Sequence, residues 1–462
     1  MISTFESLSI KTGKGYKRIS FKCFLRNSLF QTLLKKLRGI GKDFPSLYLT
    51  GHVKSSHAPP DFPIYGAKYG ECRWAQLRNT FLSCTVSGTY VKIMRESDKH
   101  NEKTESKNRI QKTIVSKIPK EYDYQSLCFE LWRERAKESE SMNIICVGEM
   151  LIDLIAHPVE QVSFQNDVSQ IENIQITVGG DASNNAVNLS KLGHHVTYMG
   201  RIGYGDTGDL VIARVKKHGI NMDHVVRSET AEQGKSLILV NQQGTRTFLQ
   251  NAGTSAEFCF EDCDLALLDD ADILQIAGAF HMPRFDGTGS AKLLKIAQEK
   301  GVITSMDVTT DRTGRWKGVL DVCYPYLDYF LPSIEQAVKM SGMEEPAEIA
   351  DFFLDQGVKN VVIKLGEKGS YFKNRNTAFY AGTYGNLRVV ETTGAGDAFC
   401  AGFLTGVGLK ASPRTCVAMG TACSAFVIQA IGATTGAKDL ETVQQFIREQ
   451  PPLEFSESTL LG

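Results

Sequence analysis

From residue 142 onward the chain alternates short apolar runs with amphipathic stretches. Ile144 to Val147 is a compact apolar run closed by Gly148-Glu149, and Leu151 to Ile155 follows it. Further β-branched or apolar runs lie at Ile174 to Val178, Val196 to Met199, Ser236 to Val240 and Thr247 to Leu249. Between them, Asn184 to Leu192 and Leu210 to Lys217 carry helical spacing and end before Gly193 and Gly219, where glycine tolerates the left-handed turn that closes a helix. The second half continues with strands at Ile273 to Ile276, Val302 to Met306, Tyr329 to Leu331 and Asn360 to Ile363, and helices at Ala291 to Lys300 and Pro346 to Gln356. Strand–helix alternation of this kind predicts an α/β fold, a doubly wound and mostly parallel sheet flanked by helices.

One segment breaks the alternation. Lys235 to Val240 and Thr245 to Gln250, joined around Asn241 to Gly244, read as a β-hairpin. With Ile174 to Val178 they predict a small separate β-sheet lid, its strands near 155–178 and 235–250. Such a sheet could close over a substrate, and its exposed strands offer a route to a homodimer.

Residues 1–141 lack a sustained period. Pro59-Pro60 and the polar stretch Glu96 to Lys112 read as linker or disorder, so a poorly ordered extension is expected here. Charge separates the same two parts: 1–141 hold 26 Lys and Arg against 14 Asp and Glu, whereas 142–462 hold 26 against 38. The first forty residues contain one acid, Glu6. The basic extension therefore reads as a start placed too far upstream of Met142, as an organellar targeting segment, or as a basic arm. Residues 142–450 form the expected domain, with 451–462 as a C-terminal tail.

Composition excludes several classes. Apolar residues make up 42% and charged residues 23%, as in ordinary globular proteins. No apolar run reaches the roughly 18–20 residues of a membrane helix. The eleven cysteines form no paired framework and no zinc quartet. No nucleic-acid or membrane partner is expected, and the expected location is the cytoplasm, with organellar targeting as the alternative.

The strongest chemical signal is Thr392-Thr393-Gly394-Ala395-Gly396-Asp397, a turn between a β-branched run and the apolar helix that begins at Ala398. Gly394 and Gly396 let backbone N–H groups converge, and a helix N-terminus adds partial positive charge. Together they suit a phosphate. Asp397 lies in the first turn, where it serves either as a helix cap or as a carboxylate beside a reacting hydroxyl. A second patch, Val178-Gly179-Gly180-Asp181-Ala182-Ser183-Asn184-Asn185, pairs glycines with an amide side chain that can donate and accept.

These motifs resemble the ribokinase-like (PfkB-type) carbohydrate kinase family, over about 142–445. The resemblance implies transfer of a phosphoryl group from ATP, with Mg2+, to a hydroxyl of a small sugar or sugar acid. Asp397 is then the general base and Gly394, Ala395 and Gly396 form the anion hole. Asp153, placed at the end of the first strand, would bind the sugar with Gly179, Gly180 and Asn184. Lys364, Gly366, Gly369 and Thr393 would lie on the nucleotide side. The family's acid before the turn is usually aspartate, and here it is Glu391, at a position that relatives binding a monovalent cation can use. Where the family has Asn-x-x-Glu to organise magnesium, this chain has Ser333 and Gln336, so the metal ligands are unassigned. Asp307 to Arg312 follows a strand and reads as a solvated loop without an assigned role. Arg246, Gln250, Asn251 and His281 are candidates for sugar selection.

Two rival readings remain at this stage. A catalytically weak sugar-binding or regulatory protein on the same fold fits the departures at Glu391, Ser333 and Gln336. Gly203-Tyr204-Gly205-Asp206-Thr207-Gly208 also satisfies GxGxxG, the pattern of an NAD-dependent dehydrogenase, although Asp206 would set a negative charge in the phosphate turn.

Overall fold

The computed structural model describes residues 141–457, apart from 166, 167 and 312, together with the backbone of short strands between residues 4 and 91. The chain divides into two units, Met1–Glu138 and Ser139–Gly462. In the first, Leu8–Thr12 pairs antiparallel with Gly15–Ile19. The linker expected over 96–112 and most of the basic extension lie outside the described residues.

The second unit is built on nine strands. Their order is His195–Met199, Asn143–Gly148, Ile273–Ala279, Ile303–Val308, Tyr329–Phe330, Asn360–Lys364, Ser370–Asn374, Ala378–Ala381 and Phe455–Ser456. Pairing is parallel as far as Asn360–Lys364 and antiparallel beyond it. The segment after residue 450 thus supplies an edge strand. Alternation along Asn143–Gly148 explains the layers: Ile144 and Cys146 join one buried cluster, Ile145 and Val147 the other. Helices Asp181–Lys191, Ala395–Gly408 and Pro413–Val427 contribute to the first cluster. Thr288–Glu299 and Pro346–Asp355 contribute to the second. The expected doubly wound α/β sheet is what forms.

The helix after the anion turn is apolar almost all round and buried from Asp397 to Val407, as a helix enclosed on several sides must be. Gly402 and Gly406 make this possible. A Cβ on Gly402 would stand 2.6 Å from the Met419 carbonyl oxygen, and one on Gly406 would stand 2.9 Å from Cys416 Cα. The Ala395–Gly408 and Pro413–Val427 helices therefore pack backbone to backbone, which fixes where the first helix begins.

The lid is a four-stranded sheet ordered Arg246–Asn251, Lys235–Val240, Leu151–His157 and Asn173–Gly179. It takes in one strand more than the three apolar runs suggested. The first run breaks at Glu149-Met150, and Asp153 lies inside the lid strand that follows, not at the end of the core strand.

Candidate active site

The anion turn forms as its residues dictate. Gly394 takes φ 77° and stands just before the Ala395–Gly408 helix. A Cβ there would approach the Ala433 carbonyl oxygen to 2.3 Å, so only glycine fits. The Ala395 N–H donates to the Thr392 carbonyl at 3.3 Å. Among the described residues no acceptor meets the N–H groups of Gly394 and Gly396, and such free donors at a helix start suit negative charge.

Asp397 is buried and held by two amides. Asn184 Nδ2 donates to Oδ2 at 2.9 Å, and Asn185 Nδ2 donates to Oδ1 at 3.1 Å. Burial lifts the Asp397 carboxyl well above the usual range, and the charges of Asp181 and Asp307 add to this. The Asn184 hydrogen bond and Lys364 oppose the rise. The two asparagines come from the Asp181–Lys191 helix, whose entry through Gly180 at φ 91° allows no Cβ: it would lie 2.7 Å from the Glu149 carbonyl oxygen.

Lys364 ends its strand beside this group, largely but not fully buried. Its Nζ donates to Asp307 Oδ2 at 2.7 Å, and Cys400 Sγ reaches the same oxygen at 3.3 Å. Burial works against the lysine charge, but Asp307, Cys400 and Asp397 together outweigh it and the lysine pKa rises. A Cβ on Gly396 would come within 3.3 Å of the same Nζ, so lysine, anion turn and Asp397 form one cluster. Asp307 is therefore no solvated loop residue. It is a buried strand residue, because the strand runs two residues further than its apolar pattern shows.

Asp153 approaches from the lid. A Cβ on Gly179 would fall 1.9 Å from Asp153 Oδ2, so the carboxylate lies across the glycine backbone. Burial, then Glu149, Asp181 and Glu391, push its pKa up to about 7. Asp181 is likewise raised to about 7 by burial, Glu149 and Asp307, with His281 and Lys364 opposing. Glu149 Oε2 is 2.9 Å from His281 Nδ1, and Gln250 Nε2 from the lid donates to Glu149 Oε1 at 3.3 Å. Arg246 Nη1 donates to Thr392 Oγ1 at 2.7 Å, so the lid touches the anion turn itself.

Residues 141–440 match the model of the pfkB family of carbohydrate kinases. The chain belongs to this family. A 2-dehydro-3-deoxygluconokinase of Bacillus subtilis is 27% identical over 288 residues, which cover 59% of this chain and 87% of the relative. The structure of a Thermotoga maritima ribokinase superposes with TM-score 0.58 at 26% identity, covering 67% of this chain and all of that one. An E. coli protein assigned as ribokinase II, solved with ATP and Mg2+, gives TM-score 0.59 at 22% identity and covers 67% and 99%.

In this carbohydrate kinase the departures from the family pattern have local uses. The Glu391 carboxylate accepts from Thr393 Oγ1 and from the Gly432 N–H, the latter at 2.7 Å. It ties the anion turn to the loop behind it. Ser333 and Gln336 cap the Ile334–Ser341 helix reciprocally: the Ser333 N–H donates to Gln336 Oε1 at 2.7 Å, and the Gln336 N–H donates to Ser333 Oγ at 3.4 Å. Each side chain thus has one bond to the helix start. Gly366 and Gly369, at φ 63° and 89°, turn the hairpin between Asn360–Lys364 and Ser370–Asn374, and among the described residues no contact joins them to Asp397.

The GxGxxG segment is also structural. The Gly203 N–H donates to Gln233 Oε1 at 3.0 Å, and its carbonyl accepts from Arg227 Nη1 at 3.0 Å. A turn so occupied does not cradle a pyrophosphate, and the dehydrogenase reading gives way to the family match. Sequence reasoning overlooked Asn185, Asp307 and Glu149. The first two had a signal, a second amide beside Asn184 and a polar residue closing an apolar strand. Glu149 had only its place after the first strand.

Proposed function

We propose that the kinase transfers the γ-phosphoryl group of ATP to a sugar hydroxyl, with Asp397 as general base. The observation that carries this is the buried Asp397 carboxylate, held by Asn184 and Asn185 at the mouth of a glycine turn with unmatched N–H groups. The sugar hydroxyl oxygen bonds to the γ-phosphorus as the bridging P–O bond to ADP breaks and its electron pair leaves with ADP. The hydroxyl proton passes to Asp397, whose carboxyl burial raises well above the usual range and so makes a stronger base. The N–H groups of Gly394, Ala395 and Gly396 take up negative charge on the phosphoryl oxygens, and Lys364, anchored by Asp307, holds the Asp397 region in balance.

Asp153, Gly179, Gly180 and Asn184 orient the sugar. On the nucleotide side Thr393 shapes the turn through Glu391, while Gly366 and Gly369 lie at the strand end beyond Lys364. Among the described residues no three His, Cys, Asp or Glu side chains gather as metal ligands. That fits Mg2+ carried by ATP phosphates and water, since this ion seldom uses an all-protein cage, and when bound it neutralises charge on those phosphates. The Glu391 carboxylate accepts one hydrogen bond on each oxygen and keeps a lone pair on each for a monovalent cation.

The outer lid face supports pairing with a second copy, for Leu249 and Ile176 are 61% and 46% exposed. Among the described residues no helix is long and apolar enough to cross a membrane. The function is tested by incubating the full-length protein with ATP, Mg2+ and a sugar panel. Sugar-dependent ADP release is expected, and release that no sugar alters would refute the proposal.

A further inference from the structure

Glu149 and Met150 are the two residues between the core strand Asn143–Gly148 and the lid strand Leu151–His157. They form one of the crossings by which the lid leaves the core sheet. The backbone is confined on both sides of them. A Cβ on Gly148 would stand 2.0 Å from the Ala277 carbonyl oxygen, and one on Gly180 would stand 2.9 Å from Met150 Cα. The Glu149 side chain therefore leaves from a fixed point at the root of the lid.

Its two carboxylate oxygens are bonded to different parts of the molecule. Oε1 accepts from Gln250 of the lid strand Arg246–Asn251. Gln250 stands in one row with Ser236, Asp153 and Thr177 across the four lid strands. This is the face towards the anion turn, since Arg246, four residues earlier and on the same side, reaches Thr392. Oε2 lies 2.9 Å from Nδ1 of His281, just beyond the core strand Ile273–Ala279. The ring's Nε2 is 3.1 Å from the Thr310 carbonyl oxygen and so carries hydrogen, which leaves one proton to lie between Nδ1 and the carboxylate. Glu149 and His281 are 2% and 6% exposed. Three linked bonds thus run from the lid, through its root, to the loop that follows the Asp307 strand.

The backbone bends sharply to deliver His281. Gly278 takes φ 80° and Phe280 takes φ 82°. The second value is unfavourable for a residue that carries a Cβ. Packing holds it there, for Phe280 is buried with its ring 5.3 Å from that of Trp316. A strained residue beside a buried pair points to a position that function requires. Phosphoryl transfer as described above gives neither Glu149 nor His281 any chemistry. Resting on that kinase reading, we infer that Gln250, Glu149 and His281 are positioning residues that latch the lid shut over the acceptor sugar. The Arg246–Thr392 contact at the other end of the lid is exposed, whereas the latch lies where water is largely excluded and a hydrogen bond to a charged group counts for more. Unlatched, the lid opens and the sugar is held less tightly.

Hydrogen exchange of the full-length protein without ligands reads the latch directly, and sugar kinetics read its consequence. Gln250→Ala leaves the Glu149–His281 pair intact. Amides of Lys235–Val240 and Arg246–Asn251 should then exchange about tenfold faster, the factor for one hydrogen bond to a charged group, while those of Ile303–Val308 keep the wild-type rate. The sugar KM should rise by about the same factor. His281→Ala should act alike, and the double variant should go little further than either single one, because both break one chain of bonds. Glu149→Gln should stay within about threefold of the wild type, since its amide N–H can donate to Nδ1 and its carbonyl can accept from Gln250. Unchanged lid exchange in Gln250→Ala, additive losses in the double variant, or a Glu149→Gln lid as open as that of Gln250→Ala overturns the inference. Faster lid exchange in Gln250→Ala, with a wild type that releases no ADP for any sugar, would leave the latch standing and defeat the kinase reading.

Discussion

Asn184 Nδ2 stands 2.9 Å from Asp397 Oδ2, joining two residues 213 positions apart in the chain. The contact unites the two glycine motifs, because the helix that starts at Gly180 delivers the amide and the helix that starts after Gly394 delivers the carboxylate. Burial dominates the acidity of the base, and this contact and the charge of Asp181 adjust it.

Those two influences have opposite signs. Asn184→Ala removes a donor that favours the ionised carboxylate, so the Asp397 pKa should rise and the acid limb of the kcat–pH profile should move to higher pH. Asp181→Asn removes a like charge, so the limb should move to lower pH. Initial rates across the pH range, at saturating ATP and sugar, check both shifts. Movement in the same direction would contradict the assignment.

Asp153 trades stability for binding. Its folded pKa, raised to about 7, exceeds the ordinary value of about 3.9. A raised carboxyl favours folding below the ordinary value and loses that benefit as pH climbs through the folded one. Asp153→Asn should therefore raise the melting temperature at pH 8, by relief on the order of a few kcal/mol. The gain should fade as pH falls towards 4, while the sugar KM rises. Thermal melts without ligand across that pH range, paired with KM measurements, test the two effects together.

Ser333 caps a helix together with Gln336. Ser333→Ala should cost about 1 kcal/mol of stability, seen in urea unfolding, and should leave the Mg2+ dependence of activity unchanged. A shifted Mg2+ requirement would return this residue to the metal site.

Much of this architecture was legible in the chain. Apolar runs such as Ile144 to Val147 could only be buried strands, and Gly193 and Gly219 marked true helix ends. The turn at Gly394 was legible because its conformation excludes other residues. Asp153 was misplaced because the stretch from Ile144 to Ile155 stays mostly apolar, although Gly148-Glu149 closes the core strand and a lid strand begins at Leu151. Asp307 and Lys364, 57 positions apart, lie on strands that only the sheet order brings together. The capping of Ser333 by Gln336 was readable as a local pattern, but the resemblance drew attention to a metal role instead. The charge balance around Asp153 and Asp181 depends on which side of the lid faces inward, and local sequence does not carry that.

Asp397 bears the central claim, and one comparison tests it most directly. ADP release by full-length wild-type and Asp397→Asn protein should be measured with ATP, Mg2+ and a sugar that the wild type accepts, alongside sugar affinity. Turnover should fall by about 10² to 10⁴ with affinity largely kept. Near-normal turnover in the variant would contradict the assignment of Asp397 as the base.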